Sequence, residues 1–270
     1  NNRMGNMEKS EKIARILQKK YGIGKVDVAI VVGSGLYDGL PELKNKKVVD
    51  YEELGMAKSR VKGHNASFVF GEYAGKNIVL VSRLHYYERG DIDKVKLPLR
   101  VVSRLGTKTV ILLTSSGALN KSFNVCDIML IKDHINMSGV NPLVAIDNLS
   151  FTNMVNCYDE EYRAKLKEVA KLYKIDIKEG VFCQMSGPSY ETVAEIEMLS
   201  RMGGDSVSMS TAHDCIIARY LDMKVLGISI IVNIPGDGHN KVTHAEVLEN
   251  ASKISIKLKK LLEGFLSQDL

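Results

Sequence analysis

The fold is decided by residues 180–202, which read GVFCQMSGPSYETVAEIEMLSRM. The apolar run Gly180–Met185 has the length of a buried strand, and Val193–Met202 shows helical spacing. Gly and Pro within Gly187–Thr192 interrupt both patterns and predict a turn between the strand and the helix. Since open α/β sheets bind ligands at the carboxyl ends of their strands, this turn would place the carboxylate of Glu191 where a ligand binds.

Glu191 has two interpretations at the level of sequence. Its carboxylate, next to the aromatic ring of Tyr190, would offer a hydrogen-bond acceptor beside a flat face, which suits a heterocycle that carries an N–H. An acid near a helix N-terminus is also favourable in itself, because it interacts with the helix dipole. The residues of this stretch leave both interpretations open.

The same alternation of strand and helix patterns extends along the chain. Apolar runs predict strands at Val26–Val32, Thr109–Leu113, Ile128–Ile131 and Lys224–Asn233. Helical spacing predicts helices at Glu8–Tyr21, Asp93–Leu105, Glu160–Tyr173 and Val247–Phe265. A hairpin is predicted for Ala66–Tyr73 and Asn77–Ser82, which flank the turn Ala74-Gly75-Lys76.

This order of elements predicts an α/β protein with a central mixed, largely parallel twisted sheet flanked by helices. No repeat, linker or break in composition divides the chain, so we expect one domain over residues 8–270. Residues 1–7 are expected to be a disordered N-terminus or an expression remnant outside that domain.

Composition argues against several classes of protein. The formal charge is +5, from 37 basic and 32 acidic residues, with no basic run of the kind that binds nucleic acid. The apolar runs are far shorter than the roughly 20 residues that span a membrane, so no membrane partner is expected. The four cysteines lie far apart without a C-x-x-C pair, which favours free thiols in a reducing cytoplasm.

The six histidines do not fall at metal-ligand spacing, so we expect no metal site. The sequence favours a hydrogen-bonded structural residue at His134 and surface or loop positions for His213 and His239. A dinucleotide fingerprint after Gly33-Ser34-Gly35 would need glycine at position 38, which is Asp38. This disfavours a dinucleotide-dependent dehydrogenase.

Several predicted strands end in small polar or charged residues. The residues that follow them include Ser34, Arg83, His85, Ser115, Ser210 and Asn233. If the strands are parallel neighbours, these ends converge on one edge of the sheet. A guanidinium fork, hydroxyls and open backbone N–H groups are what a phosphate-sized anion needs. Ser210 and Thr211 also begin a helical pattern, so a helix N-terminus would point at the anion.

The chain resembles the trimeric purine nucleoside phosphorylases of the inosine/guanosine type from about Val28 to Leu262. The blocks that carry the resemblance are Gly33-Ser34-Gly35-Leu36, Gly63-His64, Arg83-Leu84-His85-Tyr86-Tyr87-Glu88, Ser115–Asn120, Asp127–Asn136, Asn141-Pro142-Leu143, Gly187–Thr192, Met209-Ser210-Thr211, Asn233 and His244–Leu248. The resemblance implies reversible phosphorolysis of 6-oxopurine nucleosides to the free purine and α-ribose-1-phosphate in purine salvage. It also implies a cytoplasmic homotrimer that needs inorganic phosphate as co-substrate and no other cofactor.

The resemblance assigns a role to each matching residue. Ser34, His64, Arg83, His85, the main chain at Ser115 and Ser210 resemble the phosphate site, and Tyr87, Met209 and His244 resemble ribose contacts. Tyr190, Glu191 and Asn233 resemble the base site, with Asn233, His85 and Glu191 as the catalytic group. Phe151 matches an aromatic residue that the family lends to the neighbouring subunit's site.

Two alternatives remain beside this reading: a methylthioadenosine or adenosine phosphorylase of the same fold, and a catalytically silent nucleotide-binding relative. Glu191 with Asn233 argues against the first, and the retention of Arg83 and His85 beside them argues against the second. The chain departs from the family's usual pattern at Ser115–Ala118, at Ser208, at His213-Asp214 and in a shorter loop over residues 234–242. These departures bear on substrate range.

Overall fold

The computed structural model describes residues 3–61, 66–144, 146, 151–235, 249–250 and 253–270. Within them, the helices are α1 (Arg3–Tyr21), α2 (Ile92–Arg104), α3 (Glu160–Leu172), α4 (Val193–Arg201), α5 (Ala212–Tyr220) and α6 (Ser255–Leu266). The strands are β1 (Val28–Val32), β2 (Lys44–Asp50), β3 (Ser67–Tyr73), β4 (Lys76–Ser82), β5 (Thr109–Ala118), β6 (Ile128–Asn136), β7 (Ile177–Gln184), β8 (Ser206–Ser208) and β9 (Lys224–Asn233).

The strands form one mixed sheet in the order β2-β3-β4-β1-β5-β8-β7-β6-β9. Strand β9 pairs with β6 and also with β5, so that β5, β8, β7, β6 and β9 close into a ring. Strands β4, β1, β5 and β9 are parallel neighbours, whereas β3 and β4 form the predicted antiparallel hairpin. The prediction of a mixed α/β sheet flanked by helices is confirmed.

The sheet separates two hydrophobic cores. All five residues of β1 are buried, and successive side chains of a strand point to opposite faces. Ala29 and Val31 therefore join the core under α1 and α2, with Leu17 and Val101. Val28, Ile30 and Val32 join the core under α3 and α6, which includes Leu166, Leu258 and Leu262. The continuous apolar runs of the sequence are thus strands covered by helices on both faces.

The structure differs from the prediction where strands continue through polar residues. Strand β5 runs to Ala118 and β6 to Asn136, although their apolar runs stop earlier. The polar end of β5 stays in the sheet because Ser115 and Ser116 pair with Ile230 and Ile231 of β9. These extensions carry hydroxyl side chains to the rim of the sheet.

The prediction missed strand β2 and placed the start of helix α1 too late. Only one residue of β2, Val49, is buried, so this exposed strand at the edge of the sheet has no apolar pattern. Helix α1 begins at Arg3 rather than at Glu8, because residues can be added to an existing helix end at little cost. None of the described helices has the length and apolar character that crossing a membrane requires.

Candidate functional site

A cleft of about 720 Å³, open solvent included, lies at the carboxyl ends of β1, β4, β5 and β9. It brings together ten predicted site residues: Ser34, Arg83, His85, Tyr87, Ser115, Tyr190, Glu191, Met209, Ser210 and Asn233. We call Ser34, Arg83, His85 and Ser210 the anion end, and Tyr190, Glu191 and Asn233 the carboxylate end. His64 and His244 lie outside the described residues. Phe151 does not line the cleft of its own chain.

Arg83, the cation of the anion end, is held from two sides. It follows β4, is 3% exposed, and donates from Nε to Asp214 Oδ2 at 2.7 Å and from Nη1 to the Leu113 carbonyl at 2.9 Å. Its Nη2 is buried and has no hydrogen-bond partner among the described residues. A Cβ at Gly33 would lie 3.2 Å from Nη1 and 2.8 Å from the Leu113 carbonyl oxygen, so glycine makes room for this arrangement.

Hydroxyl groups and a helix N-terminus complete the anion end. Ser210 Oγ lies 3.5 Å from Thr114 Oγ1 and 3.3 Å from Thr211 Oγ1. Thr211 occupies the N-cap position of α5 with φ of +85°, a conformation that costs a β-branched residue about 1–3 kcal/mol. Strain of this kind is common at ligand sites, and the N-terminus of α5 adds a favourable dipole for an anion.

Glu88 fixes the orientation of His85. Its Oε1 accepts from the His85 backbone N–H at 2.7 Å and lies 3.2 Å from His85 Nδ1, while its Oε2 accepts from the backbone N–H of Arg60 at 2.5 Å. Burial alone would raise the pKa of Glu88, but hydrogen bonds from His85 and the Arg60 backbone outweigh it and lower that pKa to about 2. A permanent carboxylate therefore holds the imidazole.

Tyr87 lies between the anion end and the turn that precedes α4. Its ring stacks on His85, with centroids 4.9 Å apart and planes 22° from parallel. Burial and then the charge of Glu88 raise the pKa of Tyr87 to about 12, so the hydroxyl keeps its proton. At Gly187 a Cβ would lie 2.5 Å from Met209 Sδ and 3.0 Å from Tyr87 Cδ1, so this glycine lets both candidate ribose contacts approach the turn.

The carboxylate of Glu191 is not used to cap α4. Thr192 is the N-cap residue: its hydroxyl accepts from the Glu195 backbone N–H at 3.2 Å, and Glu195 accepts from the Thr192 backbone N–H at 2.7 Å. Glu191 Oε1 is buried without a hydrogen-bond partner among the described residues, and burial raises the pKa of this carboxyl group. The capping box of α4 therefore does not use Glu191, whose carboxylate lines the cleft.

Asn233 reaches the cleft through an irregularity in the sheet. The pairing of β5 with β9 shifts between Ser116 and Gly117, which places Gly117 opposite Asn233 at the end of β9. A Cβ at Gly117 would lie 3.2 Å from Asn233 Nδ2, so the missing side chain gives the amide room. On the neighbouring stretch of β5, Ser115 Oγ donates to the Ser34 carbonyl at 3.1 Å.

Sequence reasoning gave no role to Glu88 or Asp214, which hold His85 and Arg83 in place. A buried arginine requires a partner, and the only signal for Asp214 was its position one helical turn after Ser210. The surface or loop position predicted for His213 is wrong. His213 is 3% exposed, with Nδ1 3.1 Å from Gln184 Nε2 and Nε2 2.8 Å from Ser138 Oγ, because the first turn of α5 packs against β7.

The rim of the mixed sheet thus holds a guanidinium and hydroxyls at one end of a cleft, and a carboxylate and an amide at the other. Such an arrangement suits a polar heterocycle together with an anion. The chain belongs to the phosphorylase superfamily, whose family model matches residues 27–267. This confirms the family to which the sequence blocks pointed.

Individual relatives agree over most of the chain. It is 37% identical over 251 residues to purine nucleoside phosphorylase 1 of Geobacillus stearothermophilus, covering 90% of this chain and 91% of that protein. It is 36% identical over 249 residues to purine nucleoside phosphorylase of Bos taurus, covering 87% and 86%. The crystal structure of Schistosoma mansoni purine nucleoside phosphorylase in complex with inosine matches with a TM-score of 0.90 at 29% identity, covering 97% of both chains.

Proposed function

We propose that this protein catalyses the reversible phosphorolysis of 6-oxopurine nucleosides and deoxynucleosides, giving the free purine and α-ribose-1-phosphate in purine salvage. One observation carries the proposal: two buried polar atoms, Arg83 Nη2 and Glu191 Oε1, have no partner among the described residues and belong to the same cleft. Such groups are costly unless a ligand pairs with them. Relatives that are purine nucleoside phosphorylases support the same reaction.

At the anion end, phosphate would be both nucleophile and counter-charge. Arg83, the Ser210 hydroxyl and the N-terminus of α5 would hold it beneath the ribose, and Glu88 would keep His85 turned toward it. Glycosidic cleavage passes through an oxocarbenium-like sugar, which a neighbouring dianion stabilises. The reaction then needs no side-chain nucleophile, no metal and no organic cofactor.

At the carboxylate end, Asn233 would act on the leaving group and Glu191 would select it. The Asn233 amide can donate to purine N7 as negative charge develops there, which stabilises the transition state more than the ground state. An ionised Glu191 accepts from the N1–H of hypoxanthine or guanine, whereas adenine presents a lone pair at N1. The unpaired carboxylate would cost adenosine about 1–3 kcal/mol.

The reaction is tested by measuring release of the base from inosine, guanosine and adenosine, each with and without inorganic phosphate. We expect phosphate-dependent release that strongly favours inosine and guanosine. Release without phosphate would indicate a hydrolase, and equal rates on adenosine would favour an adenosine-type phosphorylase and contradict the role of Glu191. Absence of turnover with binding retained would indicate a silent relative.

We further propose a homotrimer in which Phe151 contacts the neighbouring subunit's nucleoside. Phe151 is 95% exposed, and two other apolar residues near it in sequence, Val144 and Val155, are 68% and 74% exposed, which is typical of a surface that a partner covers. Sedimentation analysis should give three chains, and Phe151→Ala should raise KM for inosine without changing kcat by more than about threefold. A monomer with full activity would contradict this proposal.

A cytoplasmic location is also proposed, because all four cysteines are free thiols.

A further inference from the structure

A second group of reactive side chains lies away from the cleft. His134 on β6, Cys157 in the segment before α3, and Cys215 on α5 each offer one ligand atom, and these atoms all lie within 4.8 Å of one another. Both thiols are buried, with 1% and 0% of the residue exposed, and His134 is half-buried. None of the three lines the cleft. Their separation along the chain explains why no metal-ligand spacing is visible in the sequence.

We propose that His134, Cys157 and Cys215 bind one thiophilic d¹⁰ cation, with Zn²⁺ as the physiological candidate. Thiolate and imidazole are the ligands that Zn²⁺ prefers in proteins. With Zn–S bonds of about 2.3 Å, two sulfurs of a tetrahedral site are about 3.8 Å apart. The cluster therefore has to contract by only about 1 Å to reach coordination geometry.

The charges of such a site suit a buried position. Two thiolates and one neutral imidazole around a dication give no net charge, so binding does not bring an uncompensated charge into the core. Loss of the two thiol protons on binding makes the affinity fall as the pH is lowered.

The cluster lies next to solvent and to a polar group that orients its histidine. Asp133 Oδ1 lies 3.8 Å from Cys157 Sγ, and Asp133 is exposed to solvent, which gives an ion a route of entry. The Tyr158 hydroxyl lies 3.0 Å from His134 Nδ1 and orients the ring from the buried side. Polar groups that orient a histidine in this way are usual around metal ligands.

Occupation of the site would tie β6, the segment before α3 and α5 together. Cys215 directly follows Asp214, the carboxylate that accepts from Arg83 Nε. A cation at Cys215 would thus fix the helix that positions the cation of the anion end. Because the ion would bind only the folded chain, it should raise thermal stability in proportion to the logarithm of its concentration.

The test uses the full chain, stripped of metal by a chelator and kept reduced with a phosphine. Titration with Cd²⁺ should produce a thiolate-to-cadmium charge-transfer absorption that saturates at one ion per chain, and an excess of Zn²⁺ should compete with it. Cys157→Ser and Cys215→Ala should each weaken binding about a hundredfold or more, and His134→Gln about tenfold. Circular dichroism checks that each variant is folded.

The matched control is Cys183→Ser. Cys183 on β7 is as buried as the two proposed ligands but lies outside the cluster, and burial raises its pKa to about 11. We expect this variant to bind Cd²⁺ like the unmodified chain. The proposal is overturned by a missing absorption band, by an unchanged Cd²⁺ affinity in folded Cys157→Ser and His134→Gln, or by an equal loss of affinity in Cys183→Ser. A Cys157–Cys215 disulfide that persists under the reductant would overturn it as well.

Discussion

The two ends of the cleft differ in how far the fold has already satisfied their polar groups. At the anion end, Arg83 is fixed by Asp214 and the Leu113 carbonyl, and His85 by Glu88. At the carboxylate end, Glu191 Oε1 has no partner among the described residues, and Tyr190 is 47% exposed. The fold thus holds the Arg83 guanidinium and the His85 imidazole in place at the first end, although Arg83 Nη2 has no partner among the described residues. At the second end, no described residue pairs with Glu191 Oε1. Changes at the anion end should therefore affect stability and activity together, and changes at the carboxylate end activity alone.

The largest effect is expected for Arg83→Met. Asp214 is 4% exposed, and removal of its partner would leave an uncompensated buried charge, which costs about 3–5 kcal/mol of unfolding free energy. Loss of the phosphate contact should lower kcat/KM about a thousandfold. Urea unfolding and steady-state kinetics with varied phosphate measure the two effects.

The double variant Arg83→Met/Asp214→Asn separates the two contributions. It removes the unpaired charge, so most of the stability should return while the activity stays low. Recovery of activity in the double variant would show that Arg83 serves only to neutralise Asp214, and would remove the contrast between the two ends.

Asn233→Ala should lower activity strongly and leave stability almost unchanged. Loss of a donor that acts in the transition state typically lowers kcat by about 10²–10³-fold, whereas the unfolding free energy should change by less than about 1 kcal/mol. Asn120→Ala is the control, because Asn120 Nδ2 donates to Asp205 Oδ1 at 2.8 Å outside the cleft. That variant should lose stability and keep its kcat. An unchanged kcat in Asn233→Ala would refute its role with the leaving group.

Glu88→Gln tests whether the anion end depends on a permanent charge. The pKa of Glu88 is lowered from its ordinary 4.5 to about 2, so its contribution to stability is complete above about pH 4.5 and is lost as the pH falls toward 2. The variant should thus be about 3 kcal/mol less stable than the unmodified chain at neutral pH, with a gap that closes on acidification. Unfolding free energies between pH 7 and pH 3 measure this.

Glu161→Gln is the matched control for that titration. The pKa of Glu161 is also about 2, lowered by hydrogen bonds from Lys165 and Lys224, but these pairs lie on the surface. Its effect on stability should be small and should vanish in high salt. A gap for Glu88→Gln that is constant with pH would mean that the residue acts through shape and not through charge.

The anion end could be predicted from sequence because apolar runs mark the strands and the polar residues that end them converge on one rim. Arg83 and Ser210 were found in this way. Their partners were not, because Asp214 is 131 positions from Arg83 and only the packing of α5 brings the two together. Strand β2 was not predicted because it has no apolar pattern. The His134–Cys157–Cys215 cluster was not predicted because its members are far apart in sequence and meet only in the folded chain.

The smallest effect, and the sharpest test of the carboxylate end, is expected for Glu191→Gln. Because burial raises the pKa of Glu191, the ionised form that accepts from purine N1–H is lost on acidification at a pH above the ordinary 4.5. In the unmodified chain, kcat/KM for inosine should therefore decrease once the pH is lowered below the pKa of Glu191, and Glu191→Gln should abolish this decrease.

Glu191→Gln should also reduce the preference for inosine over adenosine, because an amide can donate as well as accept. The ratio of the two kcat/KM values should drop roughly 5- to 150-fold, which corresponds to about 1–3 kcal/mol. The unfolding free energy should stay the same or rise slightly, since a carboxylate with one buried, unpaired oxygen is replaced by a neutral group. If Glu191→Gln keeps the preference for inosine over adenosine, residues other than Glu191 select the base. The contrast between the two ends would then concern their hydrogen bonding and not their function.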